Sequence, residues 1–150
     1  MKLKIRLNED EIFSYLKKHL FNSYAKYSNF YVCCVLETKT NDAYKYYFGN
    51  NVENASFGLT ICAERNAICN FYSNKDEDET ILNLYLLASN ISKTYKDIIF
   101  PCGACLQFIQ EFFKENNNII CYSINKDKSV FRINDLLPNA FLLNKKKETK

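Results

Sequence analysis

Two short cysteine motifs constrain this fold more than any other feature of the sequence. Cys62 lies in the run Thr-Ile-Cys-Ala-Glu-Arg, and 40 residues after it Cys102 opens the run Cys-Gly-Ala-Cys, which ends at Cys105. Three thiolates can close around one zinc ion and leave its fourth coordination position free. The fold must therefore bring two distant segments of the chain to one point.

Glu64 follows Cys62 by two residues, which is poor spacing for a fourth ligand. A carboxylate beside a zinc ion with three protein ligands can instead move protons to and from an activated water molecule. Two alternatives stay open. Either Glu64 is an ordinary acid in the first turn of a helix, or the thiols form a structural zinc site, which needs a fourth protein ligand.

Arg65 is expected to balance the charge of such a site. Three thiolates around a divalent cation leave a net charge of −1, which hinders the ionisation of a bound water molecule. Arg65 directly follows Glu64, and its guanidinium can donate hydrogen bonds to thiolate sulfur. The alternative is a plain surface arginine.

The composition indicates one domain over residues 1–143, followed by a charged tail at 144–150 that we expect to be disordered. The chain has 150 residues, of which 47% are hydrophobic, so it can bury one core. Its net charge of +3 comes partly from the tail and forms no basic stripe, so no nucleic-acid partner is expected. No apolar run reaches the roughly 20 residues that span a membrane. Seven cysteines, an odd number, favour free thiols in the cytoplasm over a disulfide scaffold.

Hydrophobic periodicity predicts helices at 8–24, 61–72 and 103–114, with Asn8 as the cap of the first. Strands are predicted at 30–38, 43–48, 81–88, 118–124 and 130–133. Their order implies an α/β sandwich with helices packed on a mixed sheet. Both cysteine motifs fall at predicted helix starts, where the helix dipole favours thiolates. The second predicted strand ends at Gly49, Asn50 and Asn51, which tolerate positive φ, and Gly103 would let the backbone between Cys102 and Cys105 wrap closely around a bound ion.

Two segments resemble the cytidine deaminase family in its small, homotetrameric zinc form. They are Gly-Asn-Asn-Val-Glu-Asn-Ala-Ser-Phe-Gly-Leu-Thr-Ile-Cys-Ala-Glu-Arg-Asn-Ala at 49–67 and Pro-Cys-Gly-Ala-Cys-Leu-Gln-Phe-Ile-Gln-Glu-Phe at 101–112, with weaker similarity at 27–32 and 136–141. The resemblance implies a three-layer α/β/α sandwich with a mixed, roughly five-stranded sheet. It also implies one Zn²⁺ per subunit, held by Cys62, Cys102 and Cys105, and a homotetramer with shared active sites.

The same resemblance implies roles for further residues. Glu64 would be the proton shuttle, and the backbone of Ala63 would face the pyrimidine O2. Asn51 and Glu53 would hold the ribose, chiefly its 3′-hydroxyl, because a carboxylate accepts from a hydroxyl and an amide can both donate and accept. Phe30 would stack on the base.

Phe141 would reach into the active site of a neighbouring subunit and stack there. For both Phe30 and Phe141 the alternative is simple core packing. Four positions depart from the family pattern. Cys33 replaces a glycine and is expected to add bulk beneath the site, and Leu106 replaces an arginine, which leaves more of the charge balance to Arg65. Phe57 often appears as tyrosine in the family and Phe100 as serine, so each lacks a hydroxyl group here.

The predicted activity is the zinc-dependent hydrolysis of cytidine and 2′-deoxycytidine to uridine and 2′-deoxyuridine, with release of ammonia, in pyrimidine salvage. Three alternatives are another nucleoside-like substrate of the blasticidin type, an editor of polynucleotides, and a zinc-stabilised binding module without catalysis. The ribose-binding pair argues against polynucleotides, because a 3′-hydroxyl that carries a phosphate cannot be gripped in this way.

Overall fold

The computed structural model describes residues 1–143, so the predicted tail at 144–150 lies outside the described residues. One mixed sheet forms the centre of the fold. Its strands are β1 (Lys2–Leu3), β2 (Phe30–Lys39), β3 (Tyr44–Asn50), β4 (Thr80–Asn90), β5 (Asn118–Tyr122) and β6 (Lys128–Phe131), in the order β1-β3-β2-β4-β5-β6. Only β4 and β5 run parallel, and every other neighbouring pair among these strands is antiparallel.

The sheet has six strands where roughly five were predicted. The additional strand is β1, which has two residues and pairs with the start of β3. The helices are α1 (Glu9–His19), α2 (Ala63–Asn74), α3 (Gly103–Gln110) and α4 (Ile133–Leu136), and short 3₁₀ turns cover Leu20–Asn22 and Phe57–Leu59. No helix in the described part of the chain is both long enough and apolar enough to cross a membrane.

Helices cover both faces of the sheet, which confirms the three-layer α/β/α prediction. On one face α1 and the 3₁₀ turn after it bury Ile12, Leu16 and Leu20 against residues of β2, β3, β4 and β5. On the other face α2 and α3 bury Ala67, Ile68 and Ile109 in a second core cluster. Each strand in the centre of the sheet therefore has apolar side chains on both faces, as the continuous apolar run in β4 predicted.

Helix α1 begins at the predicted cap but ends earlier than predicted. Asn8 Oδ1 accepts a hydrogen bond from the Glu11 amide at 2.9 Å, and the Glu11 carboxylate accepts one from the Asn8 amide at 2.8 Å. This reciprocal pair satisfies two backbone donors at the helix start. The α-helix ends at His19 and a 3₁₀ turn continues to Asn22, so the predicted end at residue 24 is wrong.

Gly49 allows α2 to lie directly against β3. A Cβ atom at this position would sit 2.2 Å from the carbonyl oxygen of Ala63 and 2.5 Å from the amide nitrogen of Ala67. Gly49, Asn50 and Asn51 tolerate positive φ, but none of the three adopts it. Gly103 begins α3, and a Cβ atom there would meet no protein atom within 4 Å.

Cys33 and Cys34 point to opposite faces of β2. Cys34 belongs to the core cluster under α2 and α3, while Cys33 belongs to the cluster under α1. The expectation that Cys33 adds bulk beneath the site is therefore wrong, since its side chain faces the layer on the other side of the sheet. Side chains alternate along a strand, so adjacent cysteines cannot serve the same face.

The elements after α2 shift by a few residues from their predicted bounds. Helix α3 ends at Gln110 rather than at residue 114, because the chain then enters a tight turn in which Asn117 Oδ1 accepts a hydrogen bond from the Lys114 amide at 2.7 Å.

The short helix α4 was not predicted. It begins where the Asp135 carboxylate accepts a hydrogen bond from the Arg132 amide at 2.7 Å.

Candidate active site

The first turns of α2 and α3 bring the three motif cysteines together. Cys62 is the N-cap of α2, Cys102 is the N-cap of α3, and Cys105 lies in the first turn of α3. Their Sγ atoms all lie within 4.8 Å of one another. Both helices thus direct the positive ends of their dipoles at this cysteine cluster, which favours the ionised thiolates that a metal needs.

The cysteine cluster fits a zinc ion. Zinc–sulfur bonds of about 2.3 Å in a tetrahedron set sulfur atoms roughly 3.8 Å apart, which is close to the observed grouping. No fourth Cys, His, Asp or Glu ligand atom joins this group among residues 1–143. Three sulfur ligands with room for one more match a catalytic zinc site better than a structural one.

Arg65 lies in the first turn of α2 and contacts the cysteine cluster. Its Nη2 atom donates to Cys62 Sγ at 3.7 Å and to the Thr60 carbonyl oxygen at 3.1 Å. Its Nε atom is buried and has no hydrogen-bond partner within the described chain. The hydrogen bond to Cys62 raises the pKa of the guanidinium further, so Arg65 carries a permanent positive charge beside the sulfur atoms.

A hydrogen bond between the thiols of Cys62 and Cys105 shifts their pKa values in opposite directions. A hydrogen bond from Cys105 lowers the pKa of Cys62, and the donors of Arg65 add to this effect, which outweighs burial. The same hydrogen bond to Cys62, together with burial, raises the pKa of Cys105. Of these two thiols, Cys62 is therefore the one that ionises more readily.

Glu64 is buried beside this cluster. It is the second residue of α2, and 4% of its surface is exposed. Burial raises the pKa of its carboxyl group to about 7, and the negative charge of Cys62 acts in the same direction. A divalent cation in the cluster would lower this pKa again. A buried carboxyl group with a pKa near neutral can both take up and release a proton.

Ala63 is the first residue of α2 and is fully buried. A backbone N–H in the first turn of a helix has no acceptor within that helix. The amide of Ala63 is thus free to donate to another group. This is the property that the resemblance requires of a residue facing a carbonyl oxygen of the base.

Asn51 is 7% exposed and is bonded to the first residues of β2. Its Oδ1 atom accepts from the Val32 amide at 2.8 Å, and its Nδ2 atom donates to the Phe30 carbonyl oxygen at 2.9 Å. Each of these atoms keeps one further position for a hydrogen bond, because an amide nitrogen has two protons and its oxygen has two lone pairs. The side chain is therefore oriented before any ligand arrives.

The Glu53 carboxylate is held in a similar way by the chain just before β2. It accepts hydrogen bonds from the Tyr27 amide at 2.8 Å, from the Ser28 amide at 3.2 Å, and from the Ser28 hydroxyl group. These hydrogen bonds lower the pKa of Glu53, although burial alone would raise it. Glu53 is thus an ionised acceptor with a fixed orientation.

A pair of backbone hydrogen bonds joins this region to the cysteine cluster. The Val52 amide donates to the Ile61 carbonyl oxygen at 2.9 Å, and the Ile61 amide donates back to Val52 at 3.0 Å. Ile61 directly precedes Cys62, so the backbone fixes the distance between residues 51–53 and the first cysteine.

The two predicted aromatic residues differ in their surroundings. Phe30 is half-buried at the start of β2, and its ring lies edge-on to the ring of Tyr95, with 5.3 Å between the centroids. Phe141 is 71% exposed, so the alternative that it packs into the core is wrong. The backbone of Phe141 is hydrogen-bonded to the side chain of Gln107 on α3.

Sequence reasoning missed Ser28 and Gln107, which shape this region, and did not anticipate that Gly49 makes room for α2. Each lies within a segment that carries the family resemblance, but none has a chemical group that by itself points to a role. Their contacts depend on which distant segments the fold brings together.

Comparisons with known proteins agree with this geometry. The family described as the cytidine and deoxycytidylate deaminase zinc-binding region matches residues 8–123. A probable cytidine deaminase from Dictyostelium discoideum is 36% identical over 121 residues, which cover 79% of this chain and 74% of that protein. A cytidine deaminase from Mycoplasma genitalium is 29% identical over 137 residues, which cover 91% of this chain and 98% of that protein.

Solved structures share the fold. The cytidine deaminase from Burkholderia pseudomallei superimposes with a TM-score of 0.74 at 32% sequence identity, over 90% of this chain and 100% of that one. The cytidine deaminase from Mycobacterium tuberculosis gives a TM-score of 0.67 at 27% identity, over 92% of this chain and 100% of that one. From the family match, the relatives and the cysteine cluster together, we conclude that the chain belongs to the cytidine and deoxycytidylate deaminase family of zinc-binding proteins.

Proposed function

We propose that this protein catalyses the hydrolytic deamination of cytidine and 2′-deoxycytidine to uridine and 2′-deoxyuridine, with release of ammonia, as a step of pyrimidine salvage. The convergence of three cysteine sulfur atoms within 4.8 Å, directly beside the buried Glu64, carries this proposal. The family match and the names of the relatives support it.

One zinc ion per subunit would be held by Cys62, Cys102 and Cys105. When bound, it supplies the Lewis acidity that makes a water molecule nucleophilic near neutral pH. Arg65 would offset the excess negative charge of three thiolates, as its contact with Cys62 suggests. The nearby positive charge favours the ionised cysteines and so strengthens the hold on the metal.

Glu64 would carry the protons of the reaction. Its carboxylate takes a proton from the attacking water molecule and passes it to N3 of the pyrimidine while oxygen adds to C4. It then takes the second proton of that water and delivers it to the amino group, which leaves as ammonia when the C4–N4 bond breaks. Cytidine and water are thus converted into uridine and ammonia with no other reactant. Exclusion of solvent around Glu64 suits these transfers, because bulk water would compete for each proton.

Ala63, Asn51, Glu53 and Phe30 would position the nucleoside. The free amide of Ala63 would donate to O2 of the base, and the ring of Phe30 would stack on it. Asn51 and Glu53 would hold the 3′-hydroxyl group, the amide as donor and the carboxylate as acceptor. A grip on the 3′-hydroxyl explains why both ribose and 2′-deoxyribose would be accepted.

The subunits would assemble into a homotetramer with shared active sites, and Phe141 would enter the site of a neighbour. The exposed position of its ring supports this arrangement, because an isolated phenylalanine on a surface gains from being covered. A cytoplasmic location suits the seven free cysteines, since a reducing compartment keeps them available as thiols.

The test is an absorbance assay of purified protein with cytidine, before and after treatment with a zinc chelator. Activity should disappear with the metal and return when zinc is added back. The panel should include 2′-deoxycytidine, 2′-deoxycytidylate, blasticidin and a single-stranded oligonucleotide. Turnover of blasticidin or the oligonucleotide in preference to cytidine would contradict the proposed substrate, and a fully loaded protein inactive on all of them would contradict the enzyme itself.

A further inference from the structure

The side chain of Gln107 makes two hydrogen bonds to the backbone of Phe141. Gln107 Nε2 donates to the Phe141 carbonyl oxygen at 2.8 Å, and Gln107 Oε1 accepts from the Phe141 amide nitrogen at 3.0 Å. A carboxamide can satisfy both polar groups of one residue at once, as a neighbouring strand would. Phe141 is therefore fixed through its backbone, although the two residues lie 34 positions apart in the chain.

The chain around Phe141 has little else to hold it in place. Within the described residues, these two bonds are the hydrogen bonds that tie residues 138–143 to the rest of the fold. No helix or strand follows the end of α4 at Leu136 in this part of the chain. The side chains of Phe141 and Leu143 are 71% and 84% exposed. Among the hydrogen bonds, those of Gln107 therefore set the backbone position from which the phenyl ring projects.

Gln107 itself lies on a well-anchored helix. It follows Cys105 by two residues on α3, and its neighbours Leu106 and Ile109 are buried in the core. The start of this helix carries two of the three motif cysteines. The carboxamide therefore holds Phe141 in a fixed relation to the cysteine cluster of its own subunit.

We propose that Gln107 is a positioning residue, whose carboxamide directs the ring of Phe141 into the active site of a neighbouring subunit. This inference rests on the proposed function, in which Phe141 completes a neighbour's site. The ring would help to bind the nucleoside and takes no part in the proton transfers. Loss of the two hydrogen bonds would therefore raise KM and leave kcat nearly unchanged, since the ring must be ordered each time a substrate binds.

The test uses Gln107→Met, which keeps the length of the side chain and removes both hydrogen bonds. The matched control is Gln110→Met, the same change one turn further along α3. Gln110 Oε1 is buried and has no hydrogen-bond partner in the described part of the chain, so the control loses no contact of this kind. Phe141→Ala and the double variant complete the set. Zinc content, melting temperature and molecular mass in solution are measured for each protein.

We expect Gln107→Met to raise KM for cytidine about tenfold, the effect of losing one or two weak hydrogen bonds, with kcat within about twofold of the parent. Gln110→Met should match the parent. The double variant should have the KM of Phe141→Ala alone, because Gln107 acts through that ring. Amide exchange at Phe141 should become faster in Gln107→Met.

Each of the other outcomes would contradict either the positioning role of Gln107 or the proposed function. If Phe141→Ala raises KM and Gln107→Met does not, the positioning role is overturned and the proposed function stands. If the two variants have additive effects on KM, or if Gln107→Met lowers kcat and melting temperature together, Gln107 has a general structural role and the inference is wrong. A parent protein that does not deaminate cytidine would overturn the proposed function and this inference with it.

Discussion

Arg65 donates a hydrogen bond from Nη2 to the Sγ atom of Cys62 at 3.7 Å, within the same first turns of α2. The contact places a permanent positive charge beside a cluster that would otherwise gather three negative sulfur atoms. The position of this arginine, three residues after the cysteine, follows from helix geometry, which brings residues three and four apart onto one face.

Replacement of Arg65 by glutamine is expected to weaken zinc binding. The variant keeps a hydrogen-bond donor but loses the charge, so we expect zinc affinity to fall by about 10- to 100-fold. Competition with a coloured chelator measures this change. Arg132→Gln is the matched control, because Arg132 at the N-cap of α4 donates to the Asn116 carbonyl oxygen and has no hydrogen bond to a cysteine in the described part of the chain. Equal zinc affinity in the two variants would contradict the charge-balancing role.

Replacement of Glu64 by glutamine should separate chemistry from metal binding. Glutamine has nearly the same shape but cannot take up a proton, so kcat should fall by about 10²- to 10⁴-fold while one zinc per subunit remains. Turnover and metal content are measured on the same sample. Glu77→Gln, a change at an exposed acid in the loop after α2, serves as the control. A Glu64→Gln enzyme with more than about a tenth of the parent activity would remove the proton shuttle from the mechanism.

Replacement of Gly49 by alanine should destabilise the protein. The new Cβ atom would meet the Ala63 carbonyl oxygen at 2.2 Å, and backbone cannot yield as a flexible side chain can. We expect a loss of about 2–3 kcal/mol in the free energy of unfolding, measured with urea. Gly58→Ala makes the same chemical change where a Cβ atom meets nothing within 4 Å. A Gly49 variant as stable as the Gly58 variant would refute the packing argument.

Replacement of Arg6 by methionine should cost stability at neutral pH and little in acid. The fully buried Glu37 carboxylate accepts hydrogen bonds from Arg6 Nε at 2.7 Å and Nη2 at 2.9 Å. Burial alone would raise the pKa of Glu37, but the hydrogen bonds from Arg6 and from Asn83 hold that pKa below its ordinary value. A carboxyl group with a lowered pKa in the folded state stabilises the protein above its unfolded pKa and stops doing so as the pH falls through its folded pKa.

The cost of Arg6→Met should therefore be about 2 kcal/mol at pH 7, a modest figure because Arg6 is half exposed, and should shrink in acid as the pH falls through the lowered pKa of Glu37. Urea unfolding of both proteins at neutral pH and in acid measures it, and the difference between them cancels effects common to both, such as loss of metal in acid. Lys4→Met removes one charge from the same N-terminal segment as a control. A cost that is equal at both pH values would show that the charge of Glu37 does not matter.

Much of the site could be predicted because its chemistry lies in short runs of sequence. A cysteine, a buried acid and an arginine within four residues of a helix start fix their own relative positions, and the run from Cys102 to Cys105 does the same. The alternation of strands and helices was enough to predict helices packed on a mixed sheet. The three layers came from the family resemblance.

The remaining features depend on contacts between distant segments. Strand β1 has two residues, which is too short for any periodic pattern, and it exists because β3 offers a free edge. The hydrogen bonds that hold Asn51 to the start of β2 join residues about 20 positions apart. Gln107 and Phe141 are further apart still, and nothing in either local sequence indicates that they meet. The side of the sheet on which Cys33 lies depended on strand register, which the sequence pattern left open.

The two backbone hydrogen bonds between Val52 and Ile61 fix the distance between the residues proposed to bind the sugar and the cysteine cluster proposed to bind the metal. Residues on one side of this backbone pair would hold the sugar, and the cysteine on the other side would hold the metal that meets the base. The sugar-binding segment and the cysteine cluster cannot shift relative to each other without breaking these two hydrogen bonds. The protein would then select molecules by the length of the bond path from sugar hydroxyl to amino group, and a nucleoside with even one atom inserted between its sugar and its base would fail to span the gap.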